Sequence, residues 1–262
     1  MIETLRAIAD YVAEALRLIP NGTDIGKEIC IGADGTPTSK IDKIAEDAVL
    51  QYIGSNNLHV NVLSEEIGFI DNKADETLIL DPIDGSTNSK LHVPLFTISM
   101  AIGKKSLNDV HTAYIRNLAT NDEYSAEKYK GAFFNGERIK SKTRFNPEKS
   151  CMMIYLGRGS SQRAHSLAKK IKSIRYLGCS SLEMISVATG ASDGYLVDSE
   201  IYDRAIRVID IAASVLILRE SGGEVYNLNG TKFDMEFDLS QRSNFFAVAN
   251  SEVYNYKKKQ EN

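Results

Sequence analysis

The residues best suited to chemistry are acidic and fall in three separated segments. In Leu80-Asp81-Pro82-Ile83-Asp84-Gly85-Ser86-Thr87-Asn88, two carboxylates lie three residues apart on a turn that directly follows an apolar run. Pro82 stiffens this turn and Gly85 opens it. Such a turn can converge Asp81, Asp84 and the Ile83 carbonyl on one cation. Mg2+ takes hard oxygen ligands from a few carboxylates, with water and substrate phosphate completing its octahedron. Beyond Gly85, the Ser-Thr-Asn run reads as a helix start, whose free backbone N–H groups suit phosphate. A β-turn decorated by Asp caps gives the same spacing, so alone the segment leaves both readings open.

Two further segments bear on the choice. Leu63-Ser64-Glu65-Glu66 ends an apolar run that can lie beside the one ending at Asp81. Carboxyl ends of adjacent strands are where α/β folds gather ligands, although paired glutamates are often merely solvated. Asp210 opens the apolar run Ile209–Leu218. A carboxylate there complements the helix dipole, but flanking residues bound for the core also leave it in need of a partner, which a cation supplies.

Other chemistries find less support. The four histidines have no metal-ligand spacing. The three cysteines, Cys30, Cys151 and Cys179, are far apart and form no Cys-x-x-Cys pair. They read as buried free thiols in a reducing, cytoplasmic setting. No calcium loop of the Asp-x-Asp-x-Asp-Gly type is present.

The elements that must position these residues follow from periodicity. Residues 2–19 and 41–53 carry apolar residues at helical spacing, the first stopping at Pro20-Asn21-Gly22 and the second capped by Thr38 or Ser39. Between them, 31–37 reads as a short loop with two glycines and a proline. From 55 to 140 the runs are short: strands are expected over 59–63, 77–80, 96–102 and 112–115, with hairpin arms at 121–126 and 132–134 around Lys130-Gly131 and Asn135-Gly136. After Pro147 the pattern alternates: strands at 152–156, 194–197 and 245–249, helices at 164–174, 182–189 and 209–218, with Gly222 as an αL cap. A division into subdomains 1–147 and 148–262 follows from this switch.

The three acidic segments, in this order, resemble the inositol monophosphatase family, which includes archaeal-type fructose-1,6-bisphosphatases. The family pattern is a Glu-Glu pair, then Asp-Pro-Ile/Leu-Asp-Gly-Ser/Thr-Thr-Asn, then Trp-Asp-x-Ala-Ala-Gly. Glu65-Glu66, Asp81 to Asn88, and Ile209 to Ser214 match it. Gly131 to Gly136, Asp193-Gly194-Tyr195 and Glu220 to Gly223 are supporting matches. The family tryptophan is Ile209 here and its glycine is Ser214, neither a ligand. The stretches 32–38 and 207–212 look most like the archaeal dual-activity branch, which acts on inositol 1-phosphate and fructose 1,6-bisphosphate. The segment Asp198–Arg204 is longer than the family pattern leads one to expect.

This resemblance implies an α/β fold, a layered αβαβα sandwich with an α+β N-terminal half on an α/β C-terminal half. It implies two to three Mg2+ ions, with Mn2+ able to substitute. Glu65, Asp81 and the Ile83 carbonyl would hold one; Asp81, Asp84 and Asp210 a second; and Glu65 a weaker third. The catalytic set implied is Asp42, Glu65 and Ser86, with Ser86 and Asp42 orienting the attacking water. The substrate set is Asp84, Gly85, Ser86, Arg175, Gly178, Cys179 and Ser180, with Cys179 acting through its backbone. A homodimer acting on a small sugar or cyclitol phosphate follows from the same likeness. The rival readings are an NADP(H) or 3′-phosphonucleotide phosphatase of the same superfamily, and a non-catalytic metal- or phosphate-binding regulator. Arg175 is the first candidate to meet a second phosphate. Arg204 and Arg207 are alternatives that Asp198, Glu200 or Asp203 would otherwise pair.

Composition bounds these readings. The 262 residues are 43% hydrophobic and 25% charged, with a formal net charge of −4. This is the profile of a globular chain, without the basic footprint of a nucleic-acid binder. No run approaches the ~18 apolar residues of a membrane span. Lys257-Lys258-Lys259 reads as a frayed, solvated end.

Overall fold

The computed structural model describes residues 1–20, 22–33 and 35–261. Asn21 of the expected turn and Asp34 of the expected loop lie outside them. Helix α1 (Ile2–Arg17) turns Leu5, Ile8, Ala9 and Val12 inward, the stripe its 3.6-residue spacing dictates. A short hairpin of β1 (Glu28–Ile31) and β2 (Pro37–Ser39) leads into α2 (Lys40–Ser55). There Ser39 is the N-cap, and its N–H donates to Asp42.

The next strands are β3 (Asn61–Ser64), β4 (Gly68–Ile70) and β5 (Thr77–Asp84), and the short α3 (Ser86–Lys90) follows directly. Then come β6 (Thr97–Gly103), β7 (Thr112–Asn117), β8 (Glu123–Glu127), β9 (Gly131–Phe134) and β10 (Glu137–Ile139). They form one sheet in the order β10-β9-β8-β7-β6-β5-β3-β4, antiparallel except where β3 runs parallel to β5.

A second sheet starts after residue 150. Its strands are β11 (Cys151–Ile154), β12 (Ser173–Arg175), β13 (Gly194–Val197), β14 (Glu224–Tyr226) and β15 (Phe245–Val248), in the order β12-β11-β13-β15-β14. Helices α4 (Gln162–Ala168), α5 (Ser180–Ala188), α6 (Val208–Ser221) and α7 (Ser251–Glu261) complete the chain. Gly222 ends α6 in the left-handed conformation, φ 104°.

Strand parity sets the layers. Leu78 and Leu80 face α1 and α2, together with Val62, Ile98, Met100 and Ile102. Their neighbours Leu63, Ile79 and Ala101 point the other way, into a core shared with α5, α6, Tyr195, Val197, Phe245 and Ala247. The outer face of the second sheet, with Met152, Ile154, Leu196 and Phe246, packs against residues of α4 and α7. The order is therefore α1/α2, first sheet, α5/α6, second sheet, α4/α7, the expected αβαβα sandwich. Helix α6 is apolar on nearly every side because both its sides are covered, and every residue from Val208 to Leu218 is buried.

Three expectations are corrected. The helix expected over 164–174 ends at Ala168, and Ile174 instead lies on β12, paired in parallel with Met152. An apolar residue in reach of a sheet edge gains more there than at the end of a lysine-rich helix. The terminal lysines are on α7 rather than a frayed end: Lys257 is buried, with its Nζ 5.8 Å from the Phe246 ring centre. Of the three free cysteines only Cys179 is buried; Cys30 is exposed and Cys151 half-buried. Cys30 sits on the small β1–β2 hairpin, whose first strand is exposed throughout.

Candidate active site

The site forms where the carboxyl ends of β3 and β5 meet the N-termini of α3, α5 and α6. Parallel pairing aligns Ser64 with Leu80, so one residue further on Glu65 comes beside Asp81. Parity sends both toward the middle layer, since Leu63 and Ile79, two residues earlier, lie in that core. Asp210, in the first turn of α6, meets them there. Carboxylate oxygens of Glu65, Asp81 and Asp210 all lie within 4.8 Å of one another. Burial, and then the like charges of Glu65, Asp84 and Asp210, push the Asp81 carboxyl well above its usual range. Three converging carboxylates, one almost fully buried, are a donor set that fits a hard divalent cation.

Asp84 is held differently. The backbone N–H groups of Ser180 and Ser181, opening α5, donate to its two carboxylate oxygens at 3.1 and 2.6 Å, and the Cys179 thiol donates at 3.2 Å. These donors and the helix dipole favour its charge. Burial acts the other way and prevails, raising its pKa. Asp81 accepts from the Ile83 N–H at 3.1 Å, which closes the turn between the two aspartates. Gly85 follows with φ 86°, where a Cβ would lie 2.8 Å from the Leu95 carbonyl and 3.1 Å from Cys179 Cβ. Only glycine lets β5 turn into α3 so close to the 178–180 loop.

Asn88, on α3, joins that loop to the turn. Its Nδ2 donates to the carbonyls of Leu95 and Leu177, each at 2.8 Å. From the other side, the Leu177 N–H donates at 2.6 Å to Glu183, a buried carboxyl that burial pushes up to about 7. The structure thus brings the loop of Gly178, Cys179 and Ser180 to the Asp84–Gly85 turn, where Cys179 contributes its thiol and the backbone donors are Ser180 and Ser181.

Arg175 is exposed at the end of β12, ahead of the 178–180 loop, and donates to the Ile174 carbonyl at 2.7 Å. Ser86 opens α3, half-buried. Asp42 is buried beside Ser39, whose N–H donates to it at 3.1 Å and whose hydroxyl also bonds to it. Burial raises its pKa, while Lys90 of α3 favours the charged form. Glu66 is bonded to the Thr38 hydroxyl, and its carbonyl accepts from the Ala33 N–H at 2.9 Å, which ties the β1–β2 hairpin to the end of β3.

Arg207 departs from expectation. It pairs with Glu65 at 2.6 Å and Asp210 at 2.8 Å, while Asp198 pairs with Arg163. Its spacing three residues before Asp210, at the helix start, was the available signal. Glu183 gave none beyond lying on a predicted helix, and Ser181 fell just outside that helix, expected from residue 182.

The profile of the inositol monophosphatase family matches residues 2–260. A protein of Methanothermobacter thermautotrophicus named fructose-1,6-bisphosphatase/inositol-1-monophosphatase is 33% identical, over 94% of this chain and 91% of its own. One of the same name from Thermococcus kodakarensis is 38% identical over 88% and 85%. Among solved structures, a Pyrococcus horikoshii protein described as having similarities for inositol-1 monophosphatase superposes with a TM-score of 0.83 at 30% identity, covering 99% of each chain. A protein of Methanococcus maripaludis named bifunctional NADP phosphatase/NAD kinase is 31% identical over 92% of this chain, which spans 46% of that protein. Sequence match, shared fold and converging carboxylates agree: the chain belongs to the inositol monophosphatase family, and it is a phosphatase.

Proposed function

We propose that the chain is a Mg2+-dependent phosphomonoesterase acting on inositol 1-phosphate, fructose 1,6-bisphosphate or both. The observation that carries this is the convergence of Glu65, Asp81 and Asp210, from three distant segments, within 4.8 Å. Glu65, Asp81 and the Ile83 carbonyl would hold one cation, and Asp81, Asp84 and Asp210 another. Such ions lower the pKa of a bound water and neutralise charge on the phosphate. The chain's own part is to aim the carboxylates, to present backbone N–H groups at Gly85 and Ser86 to the phosphate, and to hold the attacking water through Ser86 and Asp42. Arg175 is the proposed partner of a second phosphate, having a planar fork for it.

The names of the two archaeal relatives support this substrate range. The similarity to part of a protein named bifunctional NADP phosphatase/NAD kinase supports NADP+ as the second reading. The 1–147 and 148–262 halves divide the labour, the first supplying most metal ligands and the second Asp210 and the substrate loop. Among the described residues no helix is long and apolar enough to cross a membrane. A cytoplasmic homodimer is part of the same proposal, resting on the free thiols and on family habit.

The test is phosphate release from inositol 1-phosphate, fructose 1,6-bisphosphate and NADP+, with Mg2+ and with EDTA. Turnover of the first two with Mg2+ and none in EDTA is expected. Arg175→Ala should raise KM for the bisphosphate more than for inositol 1-phosphate. Undiminished activity after exhaustive chelation rejects the metal mechanism, and turnover of NADP+ alone selects the second reading.

A further inference from the structure

We propose that Arg207 is a resident counter-ion which a divalent cation must displace from Glu65 and Asp210, so that metal affinity here is set by an exchange. The inference rests on the metal-site reading above. Arg207 is the N-cap of α6, and its side chain folds back over the first turn. Nη2 lies 2.8 Å from Asp210 Oδ1, Nε 3.2 Å from both Asp210 oxygens, and Nη1 2.6 Å from Glu65 Oε1. The side chain is only 16% exposed.

The two carboxylates it bridges are two of the three in the cluster. Carboxylate oxygens have lone pairs for several partners. A guanidinium and a divalent ion on the same oxygens, however, would put three positive charges within a few ångströms in a partly dry site, where repulsion is screened less than in water. Each therefore weakens the other's hold, and the effect is reciprocal.

A different role for the same contacts is to orient the carboxylates for the metal, as outer partners of metal ligands do. The two roles predict opposite signs. If Arg207 orients, its loss loosens metal binding; if it competes, its loss tightens it. Asp210 also accepts the backbone N–H of residue 207 at 2.9 Å. That bond survives any side-chain substitution and keeps Asp210 placed.

The experiment is calorimetric titration of Mn2+ into the full-length wild type, Arg207→Gln and Arg207→Lys, with Asp81→Asn as the site control. Thermal melts in EDTA and in Mg2+ accompany it. Arg207→Gln is expected to tighten the Mn2+ Kd at least about tenfold, or ~1.4 kcal/mol. It should also melt earlier than wild type in EDTA and gain more from Mg2+. Arg207→Lys keeps the charge but loses the fork, should fall between the two, and decides the matter if the Gln variant does not fold. Unchanged or weaker Mn2+ binding in the folded variants overturns the exchange. Wild-type binding that Asp81→Asn abolishes keeps the metal reading whatever Arg207 does, whereas no wild-type binding removes both.

Discussion

Glu183 is the most exposed to pH among the residues that shape the site without carrying its charge. One of its oxygens accepts the N–H groups of Leu177 and Gly178, at 2.6 and 3.4 Å. The other lies buried near Tyr195 with no well-formed hydrogen bond. Its folded-state pKa is pushed up to about 7 from an ordinary 4.5. Between those values the folded state holds a proton that the unfolded chain releases, so stability falls as pH rises through the window and levels off above it. The full effect is roughly 3 kcal/mol. Asp81 and Asp84, also raised, act in the same direction. Comparison with Glu183→Gln isolates the one residue. Urea unfolding from pH 4.5 to 8 in EDTA should show a shallower decline for the variant; equal slopes would mean Glu183 is already ionised in the fold. At this scale the sequence was most informative where chemistry and environment clash: Asp210 among apolar neighbours pointed to a partner. It was least informative for pairings such as Arg207 with Glu65, which lie 142 positions apart.

Strand β5 and helix α3 meet at Gly85, and that junction sets where the N–H groups proposed to face the phosphate lie. A side chain there meets the Leu95 carbonyl, a backbone atom that has little freedom to move. The left-handed conformation costs a non-glycine residue a further 1–2 kcal/mol or so. Gly85→Ala is therefore expected to destabilise the protein by about 2 kcal/mol or more and, by shifting α3 against the 178–180 loop, to lower kcat at least about tenfold. Chemical denaturation and steady-state kinetics measure the two effects, and a variant with native kcat would show that the turn is not rigidly placed. Helix α1, with its amphipathic period, and α6, with its unbroken apolar run, were legible because one rule governs each from end to end. The edge strand β12 was not, because what decides Ile174 is the neighbouring strand β11 rather than its own flanks. The same holds for Lys257, whose place depends on the Phe246 ring.

The whole molecule has one feature that no local pattern discloses: α5 and α6 belong to the second half of the chain yet cover the first sheet. The switch of pattern near residue 147 marks where one sheet ends and the next begins, but the central core crosses it. A single cooperative unfolding transition is therefore expected, with far-UV circular dichroism and tyrosine fluorescence superimposing in urea. Two separated transitions would make the halves independent folding units.

That crossing core also has a temporal side. Synthesis runs from the N-terminus, so the first sheet can be complete at Ile139 while its inner face, with Leu63, Ile79, Ala101, Ala113 and Ile115, still awaits the helix ending at Ser221. During that interval the ribosome holds a sheet with one apolar side uncovered, the kind of surface that binds chaperones or aggregates. Asp210 arrives on the same helix that covers this face, so the last carboxylate of the cluster is delivered in the step that seals the core, and a chain stalled before it carries neither a finished interior nor a finished site.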